Sequence, residues 1–274
     1  MMALETVGVI AGNGVYPQTF VEAARRAGVK RVVVAAFKGE TVPDLEASVD
    51  ALAWLRVGQL NKLIKFFKKE SVEHAVMVGQ IAPKNLFDLR PDIRILTMLG
   101  RLKRKNAETI FGAIADELAK DGIELLPATT YLESMLPGEG LVCGKPLDER
   151  SLEDAAFGFH IAKEMSRLDV GQAVVVKDGT VLAVEAFEGT NAAMKRGGQL
   201  GKGKALMAKV SKPNQDFRFD VPVIGLATIE TAHEAGISTL VIEAERTLLL
   251  ERGLVEARCA KLGISVYARK ETES

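Results

Sequence analysis

Short apolar runs rich in β-branched residues alternate with amphipathic stretches through the first half of the chain, and this alternation restricts the fold more than any other feature. The runs at 7–11 (Val7-Gly8-Val9-Ile10-Ala11), 31–37, 50–57, 74–79 and 123–127 read as strands. Between the third and fourth, Leu60, Leu63, Ile64 and Phe67 recur at spacings of three and four, while Lys62, Lys65, Lys68 and Lys69 take the other face. That pattern makes a crossover helix, and 106–120 repeats it. Parallel neighbours need such crossovers, so the first half is expected to form a Rossmann-like parallel sheet with helices on both faces.

The periodicity stops after Pro127, and Pro137-Gly138-Glu139-Gly140 is turn chemistry at mid-chain. The expected division is 1–135 as an N-terminal Rossmann-like domain, 136–150 as a linker and 151–274 as a C-terminal mixed α/β domain. A helix over 151–168 opens the second half with Ser151 as N-cap and Asp154 three residues on. Runs at 173–176 and 181–185 flank Lys177-Asp178-Gly179-Thr180, a hairpin signal. Further strands are expected near 223–225, 239–243 and 265–268. A chain of 274 residues is long enough for two cores without disulfide staples. Its two cysteines, Cys143 and Cys259, lie far apart, which suits a reducing compartment and argues against a Cys-based zinc site.

Charge narrows the function classes. Lys+Arg and Asp+Glu both number 36, and the balance holds along the chain, with 18 basic and 17 acidic residues in 1–140. A nucleic-acid binder shows a basic excess, so no nucleic-acid partner is expected. The N-terminus lacks a basic segment followed by a signal-length apolar run, and no apolar run reaches about 18 residues. The expectation is a cytoplasmic protein without a membrane span. The densest positive run, Arg101-Leu102-Lys103-Arg104-Lys105, is either a solvated helix end or a contact for anionic headgroups or phosphate.

The turn after the first strand, Gly12-Asn13-Gly14, places backbone N–H groups and a helix N-terminus where dinucleotide folds hold phosphate. Pro17 stands where that fingerprint needs its third glycine, and the Walker lysine is absent, which disfavours an NAD-dependent oxidoreductase. A tight turn and a polar substrate contact from Asn13 both remain as readings. The three histidines show no metal-ligand spacing, and no GxSxG elbow occurs. Acid–base and metal chemistry therefore falls to carboxylates, in three segments: Asp169-Val170-Gly171-Gln172, Glu185 to Thr190, and Asp216-Phe217-Arg218-Phe219-Asp220. If the third is extended, Asp216, Arg218 and Asp220 share one face. Two carboxylates around an arginine suit Mg²⁺ and a phosphate oxygen, and they equally describe a solvated strand edge with a salt bridge. Lys209 and Lys212 lie just upstream and suit phosphate oxygens.

Taken in order, these segments resemble the LpxI family of UDP-2,3-diacylglucosamine pyrophosphatases over nearly the whole chain. The residues concerned are Ile10 to Gly14 with Pro17, Arg167 to Gln172, Ala183 to Ala186 with Glu188-Gly189-Thr190, Lys212-Pro213 with Gln215, and Arg218 with Asp220, Pro222 and Gly225. The resemblance implies hydrolysis of UDP-2,3-diacylglucosamine to UMP and 2,3-diacylglucosamine 1-phosphate in lipid A biosynthesis, with Mg²⁺ required. It implies two α/β domains with the active site between them, a homodimer, and peripheral association with the inner membrane. The family's essential aspartate falls on Asp220. Glu185 and Glu188 join it as catalytic candidates and Asp216 as a second metal candidate. Gly12, Asn13, Gly14, Gln172, Thr190, Lys212 and Arg218 are the substrate-binding candidates. Asn191 stands where the family often has Asp, and an amide there cannot act as a carboxylate. A two-chain lipid substrate needs an apolar cleft, for which Met98, Leu99, Leu102 and the run 101–105 are the expected lining. The other classes are a non-catalytic nucleotide-sugar or lipid-binding module and the NAD-dependent oxidoreductase.

Overall fold

The structure is a computed structural model and describes residues 3–81, 91–104 and 106–271. The chain divides into two compact α/β units. Unit 1 is Met1–Leu132 with Asp216–Asp220, and unit 2 is Glu133–Gln215 with Val221–Ser274.

In unit 1, β1 (Thr6–Ala11), β2 (Arg31–Phe37), β3 (Ala51–Leu55), β4 (His74–Val78) and β5 (Glu124–Leu125) form one sheet in the order β3-β2-β1-β4-β5. Every pairing is parallel. The helices described in this unit are α1 (Tyr16–Arg26), α2 (Leu60–Lys69), α3 (Ile93–Arg101) and α4 (Ala107–Lys120). Ile10, Val33, Ala35 and Phe37 pack with Leu60, Leu63, Ile64 and Phe67 of α2 and Leu118 of α4. Val7, Val9, Val32 and Val34, of opposite parity, are buried as well. Strands buried on both faces have no reason to alternate, which is why they appear as continuous apolar runs. The strand order reverses between β1 and β4, and that position matters for the site.

Met98 and Leu99, expected to line a lipid cleft, belong instead to this core: Met98 is 5% exposed within it and Leu99 packs against it. The face of α3 turned to solvent carries Ile93 and Leu96. Of the basic run, Arg101, Lys103 and Arg104 are exposed, Leu102 is half-buried, and Lys105 lies outside the described residues.

Unit 2 is built on a mixed sheet in the order β6-β13-β11-β9-β7-β8. Its strands are β6 (Gly140–Cys143), β7 (Ala173–Lys177), β8 (Thr180–Val184), β9 (Ala205–Lys209), β11 (Ile237–Glu243) and β13 (Ser265–Arg269). The central three are parallel, and antiparallel partners close both ends. β10 (Val223–Ile224) and β12 (Leu248–Leu249) pair separately. The helices are α5 (Glu149–Arg167), α6 (Thr190–Gly201), α7 (Leu226–Glu234) and α8 (Arg252–Leu262). Val174 and Val176 pack with Ala155, Phe159 and Ala162 of α5, while Ala173 and Val175 face the opposite core with Met194 and Ile229.

Three expectations change. Residues 136–150 are not a plain linker, because Gly140–Cys143 adds an antiparallel edge strand to β13. The long second-half helix begins at Glu149, since the Asp148 carboxylate accepts the Ser151 N–H at 2.8 Å and takes the cap that Ser151 was expected to supply. Asp216–Asp220 groups with unit 1 and is a turn: the N–H groups of Phe219 and Asp220 both donate to the Asp216 carbonyl, at 3.2 and 3.0 Å. The extended alternation therefore does not apply to it.

A buried charge network closes one end of the unit 2 sheet. Lys163 Nζ on α5 donates to Glu243 Oε1 at 2.8 Å and to the Ser211 carbonyl at 3.3 Å. Glu243 Oε2 accepts from both the N–H and the hydroxyl of Ser211, each at 2.7 Å, and Arg246 Nε donates to Ser211 Oγ at 2.6 Å. Both cysteines are free thiols and buried.

Candidate active site

In unit 1 the loops leaving β1 and β4 are laced together at the point where the strand order reverses. Gly12 N–H donates to the Val78 carbonyl at 2.8 Å, Asn13 N–H to the Gln80 carbonyl at 2.6 Å, and Gln80 N–H returns a bond to the Asn13 carbonyl at 3.2 Å. The backbones approach so closely that a Cβ on Gly12 would stand 2.5 Å from the Gln80 carbonyl oxygen and 2.7 Å from the Gly79 carbonyl carbon. Gly79 itself has φ +90°, a left-handed conformation that costs a glycine little. Gly12 thus makes room for a neighbouring loop. Because the obstacle is backbone and not a side-chain tip, Gly12→Ala is expected to cost about 1–3 kcal/mol, and a thermal melt of the variant checks it: an unchanged midpoint contradicts this packing.

Beyond the crossing, Gly14 has φ +90° with open space where a Cβ would sit. α1 then starts at Tyr16 with Pro17 in its first turn and no side-chain cap on its N-terminus. Tyr16 is buried, its hydroxyl donating to the Ala128 carbonyl at 2.7 Å, and burial pushes its pKa up. A cavity of about 460 Å³ opens at the ends of β1 and β4, lined by Ile10, Gly12, Asn13, Phe37, Met77, Gln80, Phe111 and Phe219 among others. Open parallel sheets bind ligands where the order reverses, outside the carboxyl ends of the strands.

The 216–220 turn belongs to this unit. Phe217 accepts the Ala128 N–H at 2.8 Å, and the Phe219 ring stacks at a tilt on Phe111, with centroids 5.8 Å apart. Arg218 grips Asp216 with two groups: Nε lies 2.9 and 3.1 Å from the two carboxylate oxygens and Nη2 lies 2.6 Å from Oδ2. That hydrogen bonding holds the Asp216 carboxyl below the usual carboxylate range and raises the Arg218 guanidinium. Asp220, at the end of the turn, is exposed.

In unit 2 the structure brings Gln172, Glu185 and Thr190 together. Glu185 Oε2 accepts the Gln172 N–H at 3.2 Å, and Oε1 accepts the Thr190 hydroxyl at 2.8 Å. Both oxygens are engaged in tying the β7 entry loop to the first residue of α6. Glu188 is separate: it accepts the Ala186 N–H at 3.1 Å and Arg196 Nη2 at 2.6 Å. Its own backbone N–H, then Arg196, hold it below the usual range. Lys212 Nζ pairs with the Asp169 carboxylate, and its backbone N–H donates to Gln215 Oε1 at 2.6 Å.

Among the described residues, no three His, Cys, Asp or Glu side chains converge as a metal cage. Mg²⁺ does not require one, because it is commonly held by one or two carboxylates, substrate phosphates and water. The exposed carboxylate of Asp220 fits that minimal role. Asp216 does not, since both its oxygens are taken by Arg218.

Matches to family models run along the chain: residues 6–135 match the LpxI N-terminal domain and residues 138–267 the LpxI C-terminal domain. A relative from Caulobacter vibrioides, named UDP-2,3-diacylglucosamine pyrophosphatase LpxI, is 33% identical over 275 residues, covering 96% of this chain and 97% of its own length. The chain belongs to the LpxI family. Among solved structures, the biotin carboxylase domain of Hydrogenobacter thermophilus 2-oxoglutarate carboxylase overlaps at a TM-score of 0.29 and 11% identity, over 66% of this chain and 36% of that one. A likeness that slight says nothing about fold or activity.

Several features of these candidate residues escape a local sequence reading. Gly79-Gln80 after β4 is a second loop beside Gly12-Asn13, and its signal was a glycine directly after an apolar run. Phe111 and Phe219 meet from distant parts of the sequence, and Asp169 and Gln215 hold Lys212 from opposite sides along the chain.

Proposed function

We infer that this chain hydrolyses the pyrophosphate bond of UDP-2,3-diacylglucosamine, releasing UMP and 2,3-diacylglucosamine 1-phosphate for lipid A biosynthesis. The observation that carries the reading is 33% identity to a pyrophosphatase of that name over 96% of the chain, with both LpxI domain models matched. Bound Mg²⁺ supplies charge to the phosphate oxygens on which negative charge builds. Asp220 is the residue assigned to hold it or to orient the attacking water. Arg218 is assigned to the phosphate oxygens; its guanidinium is fixed in place by Asp216, and a pre-oriented cation costs no reorganisation when charge develops. Lys212, tethered by Asp169, is assigned as an anion partner by exchange of that pairing. Glu185 acts as a positioning carboxylate for the start of α6.

The substrate's two acyl chains require an apolar environment. No helix among the described residues is long and apolar enough to cross a membrane. Ile93 and Leu96, 83% and 55% exposed on α3, support peripheral contact with a lipid surface, next to exposed Arg101, Lys103 and Arg104. A cytoplasmic homodimer at the inner membrane completes the reading, on the family resemblance alone. The test is UMP release from UDP-2,3-diacylglucosamine in detergent micelles, with Mg²⁺ and with EDTA. Release that EDTA abolishes supports both the activity and the metal. A folded protein that releases no UMP with any of several divalent metals overturns the assignment.

A further inference from the structure

We propose that Lys163 and Glu243, buried in unit 2, are positioning residues for the pyrophosphatase reaction: they hold the Ser211–Lys212 peptide so that the Lys212 ammonium meets the phosphate oxygens of the substrate. The assignment rests on the pyrophosphatase reading, in which Lys212 is the anion partner, and it names what orients that lysine. Every polar group of Ser211 is taken by a charged side chain. Its N–H and hydroxyl donate to Glu243 Oε2, its carbonyl accepts from Lys163 Nζ, and its Oγ accepts from Arg246 Nε. These side chains come from the end of β11, from α5 and from the turn before β12, so the fully buried Ser211 is fixed from three directions along the chain. Lys212 follows directly. Its N–H is held by Gln215 Oε1, and its ammonium pairs with Asp169, two residues past the end of α5.

Stability alone is a poor account of such a network. Burying two opposite charges costs so much hydration that an apolar pair of similar volume often serves a core as well. An apolar pair cannot direct a peptide group, because its contacts have no preferred angle, whereas hydrogen bonds do. The Ser211–Lys212 peptide is held on both edges, by Lys163 at its oxygen and by Gln215 at its nitrogen. The Lys212 side chain therefore starts from one fixed setting. Two neighbouring features fit a loop shaped for a ligand better than one shaped for its own stability. Gln215 Nε2 is buried with no hydrogen-bond partner among the described residues, a cost that a relaxed loop avoids. Asp169 has φ +56°, the left-handed conformation in which glycine is usual past a helix end, yet a carboxylate stands there and neutralises Lys212. That carboxylate is exposed. A lysine with a fixed base exchanges it for a phosphate without rearranging the loop, and prior orientation of charge is what lowers the barrier to diphosphate hydrolysis.

The experiment uses the full chain carrying Lys163→Met/Glu243→Leu, which removes the grip on Ser211 without leaving an unpaired interior charge. UMP release is measured below the melting midpoint, with circular dichroism giving the folded fraction, in wild-type and Lys212→Ala backgrounds. Calorimetry with inorganic pyrophosphate gives affinity in the same four proteins. In the wild-type background kcat/KM is expected to fall about tenfold, since a misplacement of about 1 Å costs up to about 100-fold. In the Lys212→Ala background the same substitutions are expected to cost less than about twofold, because the residue through which they act is gone. A purely structural role lowers both backgrounds by the same factor. That result, or full turnover in the folded Lys163→Met/Glu243→Leu chain, overturns the proposal and leaves the pyrophosphatase reading standing. Glu243→Gln is the second variant, for use if the first fails to fold. It keeps the volume and leaves Lys163 paired with Glu271 at 3.0 Å, but it has one acceptor oxygen where the network needs two. The same dependence on Lys212 is expected of it. A wild type that releases no UMP, yet binds pyrophosphate about tenfold more tightly than the network variants, keeps the positioning role and overturns the reading of the activity. A wild type that neither turns over substrate nor binds pyrophosphate removes Lys212 as an anion partner, and the proposal with it.

Discussion

Asp220→Ala lowers UMP release at least about 100-fold while the chain stays folded. The magnitude follows from the kind of catalysis involved: hydrolysis at a diphosphate depends on positioning and on charge stabilisation, and removing one preorganised stabiliser costs factors of 10²–10³ in comparable sites. The fold is expected to survive because Asp220 is exposed at the end of a turn that is also held without its side chain, by its own N–H on the Asp216 carbonyl, the Ala128 N–H on the Phe217 carbonyl and Arg218 on the Asp216 carboxylate. Asp220→Asn retains shape and removes only the charge, so it should fall nearly as far as the alanine variant. Circular dichroism confirms the fold and single-turnover UMP release gives the rate. A folded Asp220→Ala protein that keeps more than a tenth of wild-type turnover removes Asp220 from the chemistry.

Lys163→Ala produces the second large effect, on stability. Lys163 and Glu243 have side chains only 5% and 4% exposed. Deleting the lysine leaves a carboxylate in the interior facing the N–H and hydroxyl of Ser211, with the Arg246 guanidinium 3.5 Å away. Removing one partner of a buried pair costs about 3–5 kcal/mol. Replacing both partners with apolar residues costs less, because the two buried charges go together and Glu271, which also pairs with Lys163 at 3.0 Å, is half-exposed and left to solvent. Lys163→Met/Glu243→Leu is therefore expected to recover most of the loss. Amide exchange in β9 and β11, the strands that end at this network, reads the effect within unit 2 independently of unit 1. Protection within about 1 kcal/mol of wild type in Lys163→Ala, where the loss of a buried partner costs about 3 kcal/mol or more, shows that the pair is not what holds this end of the sheet.

The fold was legible where burial on both faces left continuous apolar runs. β1, β2 and β4, with Leu60, Leu63, Ile64 and Phe67 of α2, announce themselves by period alone. β6 did not, because four residues between turn glycines carry too little pattern, and its place at the sheet edge is decided by β13 far downstream. The helix cap was ambiguous for a local reason: Asp148 and Ser151 are both good caps three residues apart, and the side-chain bond to the Ser151 N–H selects the first. In the site, the carboxylates were visible as residues and their roles were not. The spacing suggests Asp216 as a partner of Asp220, whereas the turn bends it onto Arg218, and it does not show that the Glu185 oxygens meet Gln172 and Thr190. Met98 and Leu99 looked like lipid contacts because helical spacing shows an apolar face without showing what covers it.

The five residues 216–220 also set an order of events during synthesis. A ribosome makes residues 133–215 before it makes the segment that completes unit 1, while domains ordinarily fold as they emerge, N-terminal first. The nascent unit 1 therefore leaves the exit tunnel with the Ala128 N–H lacking the Phe217 carbonyl and with one side of Phe111 uncovered. Its last aromatic piece arrives only after most of unit 2 has been translated, so an early stop codon in the second half spoils the first half as well.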